Sequence, residues 1–184
     1  MKTKQVKELM LPLSAYATVH KDATLRDAVT ALREAQAEFE KNKYHHRAVL
    51  VLDDTGHVVG KVSLISILRG LEPKYDEMLT NKKSMHLGFT RTFQKTMLEQ
   101  LKLWDAPLEH VCRKAGEIKV ETFMSTYTEG EYIEVDAPLD EAIHQLVMGH
   151  HQSLLVTEKK AIVGIVRLTD VFEVVADSIL TCEV

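Results

Sequence analysis

Two apolar patterns alternate along this chain, and they do so twice in the same order. Leu25, Ala28, Val29, Leu32, Ala35 and Phe39 are spaced three and four apart and predict one buried stripe on a helix. Leu139, Ala142, Ile143 and Leu146 predict a matching helix. Asp22-Ala-Thr24 and Asp136-Ala-Pro138 stand at the two starts as candidate caps, followed by Asp27 or Glu141, with Pro138 tolerated in a first turn. Gly149 marks the expected end of the second helix. Each helix is followed by two short apolar runs, residues 48–52 with 57–63 and residues 153–157 with 162–166. The linker Asp53-Asp54-Thr55-Gly56 has turn chemistry, so an antiparallel hairpin is predicted in both places. A closing helix follows each hairpin. The first is expected to be brief, residues 67–69 before Gly70, and the second to run over 169–180, where Val171, Phe172, Val174, Val175 and Ile179 are apolar.

The recurrence is a repeat at the residue level. An offset of 114 pairs Val6 with Val120, Met10 with Met124, Asp22 with Asp136, Ala23 with Ala137, Leu25 with Leu139, Ala28 with Ala142 and Leu32 with Leu146. The offset falls to 105 at His45-His46 and His150-His151, and to 104 at Gly60 and Gly164. The two changes shorten a helix end and a turn, where length varies cheaply. The reading is two copies of a strand, helix, strand, strand, helix unit over 1–71 and 118–184. At about 60 residues such a unit is marginal alone, so each sheet should bury a face against the other copy.

Residues 72–117 lie outside the repeat. Phe89, Phe93, Met97 and Leu101 step by four with Trp104 nearby, predicting an amphipathic helix over 89–103 that Pro107 ends. A second helix is predicted over 108–115, before Gly116. Packing on the protein's own surface or across a dimer explains such a stripe, and a docking face for a target protein is the alternative.

The 184 residues are 45% hydrophobic and 27% charged, enough to build a core, and the net charge of −4 gives no general attraction to nucleic acid or anionic lipid. The charged start lacks the apolar segment of a secretory signal, and no run of about 18 apolar residues predicts a membrane span. Cys112 and Cys182 belong to no paired spacing, so reduced thiols in the cytoplasm are expected. None of the eight glycines, Gly88 among them, completes a Walker loop, a dinucleotide fingerprint or a nucleophile elbow. Asp53-Asp54 and Asp140-Glu141 fall in a turn and a first helical turn, where solvation explains them better than acid–base catalysis. Nothing in the sequence argues for an enzyme.

The second copy reads Gly164-Ile165-Val166-Arg167-Leu168-Thr169-Asp170, and the first Gly60-Lys61-Val62-Ser63-Leu64-Ile65-Ser66. Placed at the same point of two duplicated units, these resemble the strand-to-helix signature of CBS domains: glycine, two apolar residues, Ser or Thr, two variable positions, then Asp. The chain is thereby similar to a tandem CBS pair, a Bateman module. The resemblance implies an α+β fold of two βαββα units related by a pseudo-two-fold axis, with a helical insert. It also implies an adenine nucleotide (AMP, ADP or ATP) or related adenosyl compound held between the copies. Asp170 matches the family's ribose-binding carboxylate, which can accept from two adjacent hydroxyls. Phosphates would lie near the amides of the following helix start. Thr169 would add a hydroxyl, and Arg167, standing where the family has Ser or Thr, would make charge-assisted contacts to phosphate. Ser63 keeps the hydroxyl in the first copy, but Ser66 replaces the carboxylate, so one good site per chain is expected. His151 and Ser153 border the implied cleft. A proline frequent in the preceding strand is absent at Val49-Leu50 and Leu154-Leu155.

The resemblance further implies a homodimer, a flat disc of modules, acting on a target protein in trans. Two alternatives stand beside the nucleotide sensor. One is a scaffold whose clefts no longer bind, with Ser66 and Arg167 as its support; the other is a metal sensor built on the histidine doublets. Adjacent strand side chains point to opposite faces, so a doublet is not expected to share one metal, and no metal ligands are assigned.

Overall fold

A computed structural model describes residues 4–38, 46–75, 90–105 and 108–181. Phe39, His45, Gly88, Phe89, Pro107 and Cys182, singled out above, lie outside the described residues. The chain runs β1 (Leu11–Pro12), β2 (Thr18–His20), α1 (Leu25–Glu38), β3 (Ala48–Leu52), β4 (Val58–Ser63) and α2 (Leu64–Leu71). The insert contributes α3 (Arg91–Gln100) and α4 (Leu108–Glu117). The second copy follows with β5 (Tyr132–Glu134), α5 (Leu139–Met148), β6 (Ser153–Glu158), β7 (Ala161–Arg167) and α6 (Leu168–Leu180). In each copy the first strand pairs parallel with the second and the second antiparallel with the third, which gives the sheets β2-β3-β4 and β1-β7-β6-β5. Among the described residues, no helix is long and apolar enough to cross a membrane.

The hairpin turns have different solutions. Lys159 and Lys160 take φ of 50° and 71°, the mirror-image geometry that matches strand twist in a two-residue turn. The first turn is longer. There Asp53 Oδ1 accepts from the Thr55 amide at 2.9 Å, its hydroxyl at 2.7 Å and the His57 amide at 2.9 Å. The Thr55 hydroxyl is the main reason the Asp53 carboxyl drops to about 2.

The entry segments of the two copies are exchanged. Val6 is buried in the core of the second copy with Leu139, Leu146 and Leu154, while Val120 is buried in the core of the first with Leu25, Leu32 and Val62. Val6 N donates to Ala137 O at 2.9 Å and Leu139 N to Lys4 O at 2.9 Å. The equivalent bonds in the other direction run from Val120 N to Ala23 O at 2.9 Å and from Leu25 N to Ile118 O at 2.8 Å. The identities at offset 114 are therefore the contact points of this exchange. Strand β1 lies antiparallel to β7 with Leu11 opposite Ile165, and Ser125 bridges Lys61 in the equivalent place. These crossings explain the signature glycines: a Cβ on Gly164 would lie 2.4 Å from Leu11 O, and one on Gly60 2.7 Å from Met124 Sδ. Tyr16, Leu50, Leu155 and Ile165 form a third buried cluster that joins the copies.

Several local expectations are corrected. Helix α2 does not stop at Gly70 but continues through it, because a Cβ there would meet the Phe123 ring at 2.9 Å and glycine lets that ring pack. Gly116 likewise lies inside α4. Val29 belongs to the predicted stripe of α1 yet is 37% exposed. Of the candidate caps, one in the first copy acts as expected and those of the second do not. Thr24 Oγ1 accepts from Asp27 N at 3.2 Å while Asp27 Oδ2 accepts from Thr24 N at 2.8 Å, so Thr24 and not Asp22 holds the start of α1. Pro138 is the residue before α5, outside its first turn, and Asp136 pairs with Lys7 at 2.7 Å instead of capping. Gly149 does close α5, and a Cβ there would lie 2.0 Å from the His151 ring. The stripe of α3 buries none of its residues, leaving Phe93 46% exposed. The segment after α3 is tied down instead through Trp104, whose Nε1 donates to Tyr75 Oη at 3.0 Å.

Candidate functional site

Where the two copies meet, a cavity of about 420 Å³ opens on the ends of their third strands. Its wall is built in equivalent pairs: Arg47 and Gln152, Ala48 and Ser153, Ser63 and Arg167, Ile65 and Thr169. The cavity thus straddles the pseudo-two-fold axis, and each half is a strand handing over to a helix. Of the residues predicted from sequence, Arg167, Thr169, Ser153, His151 and Ser63 line it together.

Ser66 and Asp170 stand one step behind the wall, and both are engaged. Ser66 is buried, its hydroxyl 2.8 Å from Ser63 Oγ, while its amide donates to the same oxygen at 3.1 Å. Ser63 therefore starts α2 with its hydroxyl as the cap acceptor while still lining the cavity. Arg167, its counterpart, makes no such cap. Its Nε donates to Asp170 Oδ2 at 2.7 Å and its Nη2 to Oδ1 at 2.5 Å, a two-pronged pair whose side chains are 8% and 18% exposed.

The wall is basic. Arg47 is exposed to the cavity, and Lys61 enters from β4 on an ion pair with Glu131 of the opposite copy. Burial pushes the Glu131 carboxyl up, but hydrogen bonds from Lys61 and from Thr128 N at 3.0 Å outweigh it and hold the group below its usual range. Lys61 also stands 5.1 Å from the centre of the Tyr127 ring.

Tyr16, Lys61 and Glu131 escaped the sequence reading. Tyr16 lines this cavity and a neighbouring one of about 470 Å³ bounded by residues 14–18, α1 and His46. Its ring meets the buried His46 edge-on, with centroids 4.4 Å apart. Burial, the largest effect, pushes its phenol up to about 12, with Arg167 opposing and Asp170 adding to the rise. A sequence signal existed for Lys61: a lysine between Gly60 and Val62 in an otherwise apolar strand marks a charge turned inward.

The histidine doublets do not assemble a metal site among the described residues. His150 takes φ of 52° and His151 turns into the cavity. The group with ligand spacing is His20, Asp22 and Asp54, all exposed, with Lys21 already on Asp54.

The family model for the CBS domain matches residues 6–73 and 120–177. No curated protein matches the sequence. Among solved structures, the CBS domain of a CBS domain containing membrane protein from Sphaerobacter thermophilus superposes with a TM-score of 0.60 at 18% identity, over 92% of this chain and 86% of that one. The CBS-pair protein CBSX2 from Arabidopsis thaliana gives 0.60 at 17% identity over 97% and 98%. A structure of CBSX2 in complex with AMP gives 0.58 at 16% identity over 95% and 97%. At these identities the likeness is one of fold.

Proposed function

The chain belongs to the CBS domain family, and from that premise we propose that it is a regulatory module without catalysis of its own, which binds an adenine nucleotide between its two copies and acts on a partner protein in trans. The observation that carries this reading is the cavity on the pseudo-two-fold axis, with its hydroxyls and cations contributed by both copies. Its volume falls in the range of small-molecule sites. Asp170 would take the ribose hydroxyls, Arg167 and Arg47 the phosphate, and Thr169, Ser153, Ser63 and His151 the remaining polar edges. The AMP complex of CBSX2 supports the choice of ligand class.

A ligand touching both copies can change their packing only by favouring one arrangement over another. The exposed apolar residues Leu64 and Leu68 of α2 and Phe172 of α6 support a second copy as the surface that reads this change. Leu68 and Phe172 are equivalent at offset 104, so a two-fold partner would cover both at once.

One observation favours the scaffold reading: Asp170 is already bonded by Arg167, and Ser66 stands in place of the other carboxylate. Thermal unfolding with AMP, ADP, ATP, S-adenosylmethionine, NAD and divalent metals separates the readings. A nucleotide at about 100 times its Kd should add roughly 2.7 kcal/mol of stability. A response to none of these compounds supports the scaffold, and a response to metal alone supports the metal sensor.

A further inference from the structure

We propose that a second chain docks on this one head to tail, with its α6 seated through Phe172 in an apolar groove that α2 presents. The inference rests on the reading above that a second chain covers α2 and α6, and goes beyond it by fixing which helix meets which.

The groove, of about 600 Å³, is lined by Ile65, Leu68 and Arg69 of α2, with Tyr75 and Trp104 as its far wall. Trp104 Nε1 donates to Tyr75 Oη at 3.0 Å and Trp104 N to Glu72 Oε2 at 3.2 Å, which pins that wall to the end of α2. The floor stays open to solvent, with Ile65 68% and Leu68 54% exposed. Helix α6, the equivalent element of the second copy, presents a ring where α2 presents a hollow. Phe172, at the position of Leu68, is 58% exposed, and Ile179 and Leu180 are exposed beyond it.

Charge chooses between the two ways in which a two-fold axis can pair these helices. Helix α2 contains Arg69 and no acidic residue, and just beyond it Glu72 and Lys74 offset each other. Helix α6 contains Asp170, Glu173 and Asp177 and no basic residue. Glu173 and Asp177 are exposed and one turn apart, so they form an acidic edge beside Phe172. Setting α2 on α2 and α6 on α6 brings like charges together, which specific interfaces avoid. Setting α2 on the α6 of the other chain places a basic helix on an acidic one and a ring in a hollow. The sign belongs to each helix as a whole and does not require any one side chain to be free. Ile65 and Thr169, at the starts of the two helices, line the same cavity, so hollow and ring lie on either side of the pseudo-two-fold axis. One true two-fold can then make both contacts at once, and the assembly closes as a dimer.

The test is sedimentation velocity of the full chain as wild type, as Leu68→Asp, as Phe172→Lys and as an equimolar mixture of the two variants. Both positions are exposed, and circular dichroism checks that the fold is kept; should Leu68→Asp fail to fold, Ile65→Asp takes its place. The wild type should be a dimer. Each variant alone damages both contacts of a head-to-tail dimer and should raise its Kd by on the order of 100-fold. In the mixture one contact is wholly native, and in the other the introduced lysine faces the introduced aspartate. Dimers should therefore return, with a Kd within about tenfold of the wild type. Pairing of like helices predicts the reverse, because a mixed dimer then has two damaged contacts while each variant alone keeps one intact. Weakened variants that dimerise no better mixed than apart, or a wild type that grows into open polymers, overturn the head-to-tail arrangement and leave the second-chain reading standing. A wild type that stays monomeric at about 100 μM, or variants that dimerise as tightly as the wild type, overturn that reading and this inference with it.

Discussion

Replacing Gly164 with alanine tests the exchanged architecture at its tightest point. The new methyl group would sit 2.4 Å from the carbonyl oxygen of Leu11 and 3.3 Å from both its carbonyl carbon and Met10 Sδ. An ordinary contact begins near 3.4 Å, so the crossing backbone of β1 must retreat by about 1 Å. Backbone cannot rotate out of the way as a side chain can, and β1 is only two residues long, with Pro12 directly opposite Gly164. Overpacking of this kind costs about 1–3 kcal/mol, and each pairing bond lost with β1 adds about 0.5–1.5 kcal/mol, so about 2–4 kcal/mol is expected. Gly60→Ala is the internal control. Its methyl would meet Met124 Sδ at 2.7 Å, a flexible end that can move, and Ser125 O at 3.1 Å, so about 1–2 kcal/mol is expected there. Equilibrium urea unfolding of the wild type and the two variants measures both costs, and in a chain of this size each kcal/mol lowers Tm by about 2–4 °C. The reasoning is refuted if Gly164→Ala stays within about 0.5 kcal/mol of the wild type, or if Gly60→Ala proves the costlier change.

Further predictions follow from the same exchange. Val6 and Val120 are each fully buried in the core of the other copy, so Val6→Ala and Val120→Ala should destabilise by similar amounts, about 1–3 kcal/mol, in chemical denaturation; a negligible cost for Val6→Ala would mean that the N-terminal segment is not docked. Glu131 is held below its ordinary 4.5, so its contribution is present above that value and is lost as pH falls through its native pKa. Glu131→Gln should therefore be less stable than the wild type at neutral pH, with the difference shrinking as pH drops below 4.5; urea midpoints between pH 7 and pH 3 that keep a constant difference would contradict the Lys61–Glu131 pairing. The raised phenol of Tyr16 favours the folded state until pH climbs above about 10, so absorbance titration should show it ionising only with alkaline unfolding.

Elements whose stabilising contacts are local were legible in the sequence. The stripe Leu25, Ala28 and Leu32 and the paired apolar runs of both hairpins fold as their periods require, because one face of each is buried. Gly70 misled because its signal is ambiguous: glycine ends helices, and it also lets an aromatic ring press on a helix, which is its role against Phe123. Val6 and Val120 sit in single short turns with no period of their own, and their partners lie more than a hundred residues away or in another copy, so only the repeat hinted at them. The cavity wall was legible in the same measure. Ser63, Ser153, Arg167 and Thr169 flank strand ends whose positions the pattern fixed. Tyr16 and Lys61 depend on contacts made only in the folded pair, with Glu131 70 residues from Lys61. The bond between Arg167 and Asp170 was within reach, since residues three apart at a helix start face one another.

Crystals of the chain grown with AMP test most directly whether the junction of the copies is a nucleotide site. The account predicts adenosine monophosphate density in the cavity between Ser63 and Thr169, the ribose hydroxyls on Asp170 and the phosphate on Arg167. AMP bound elsewhere, or a cavity without it at saturating AMP and with the Arg167–Asp170 pair intact, would contradict it.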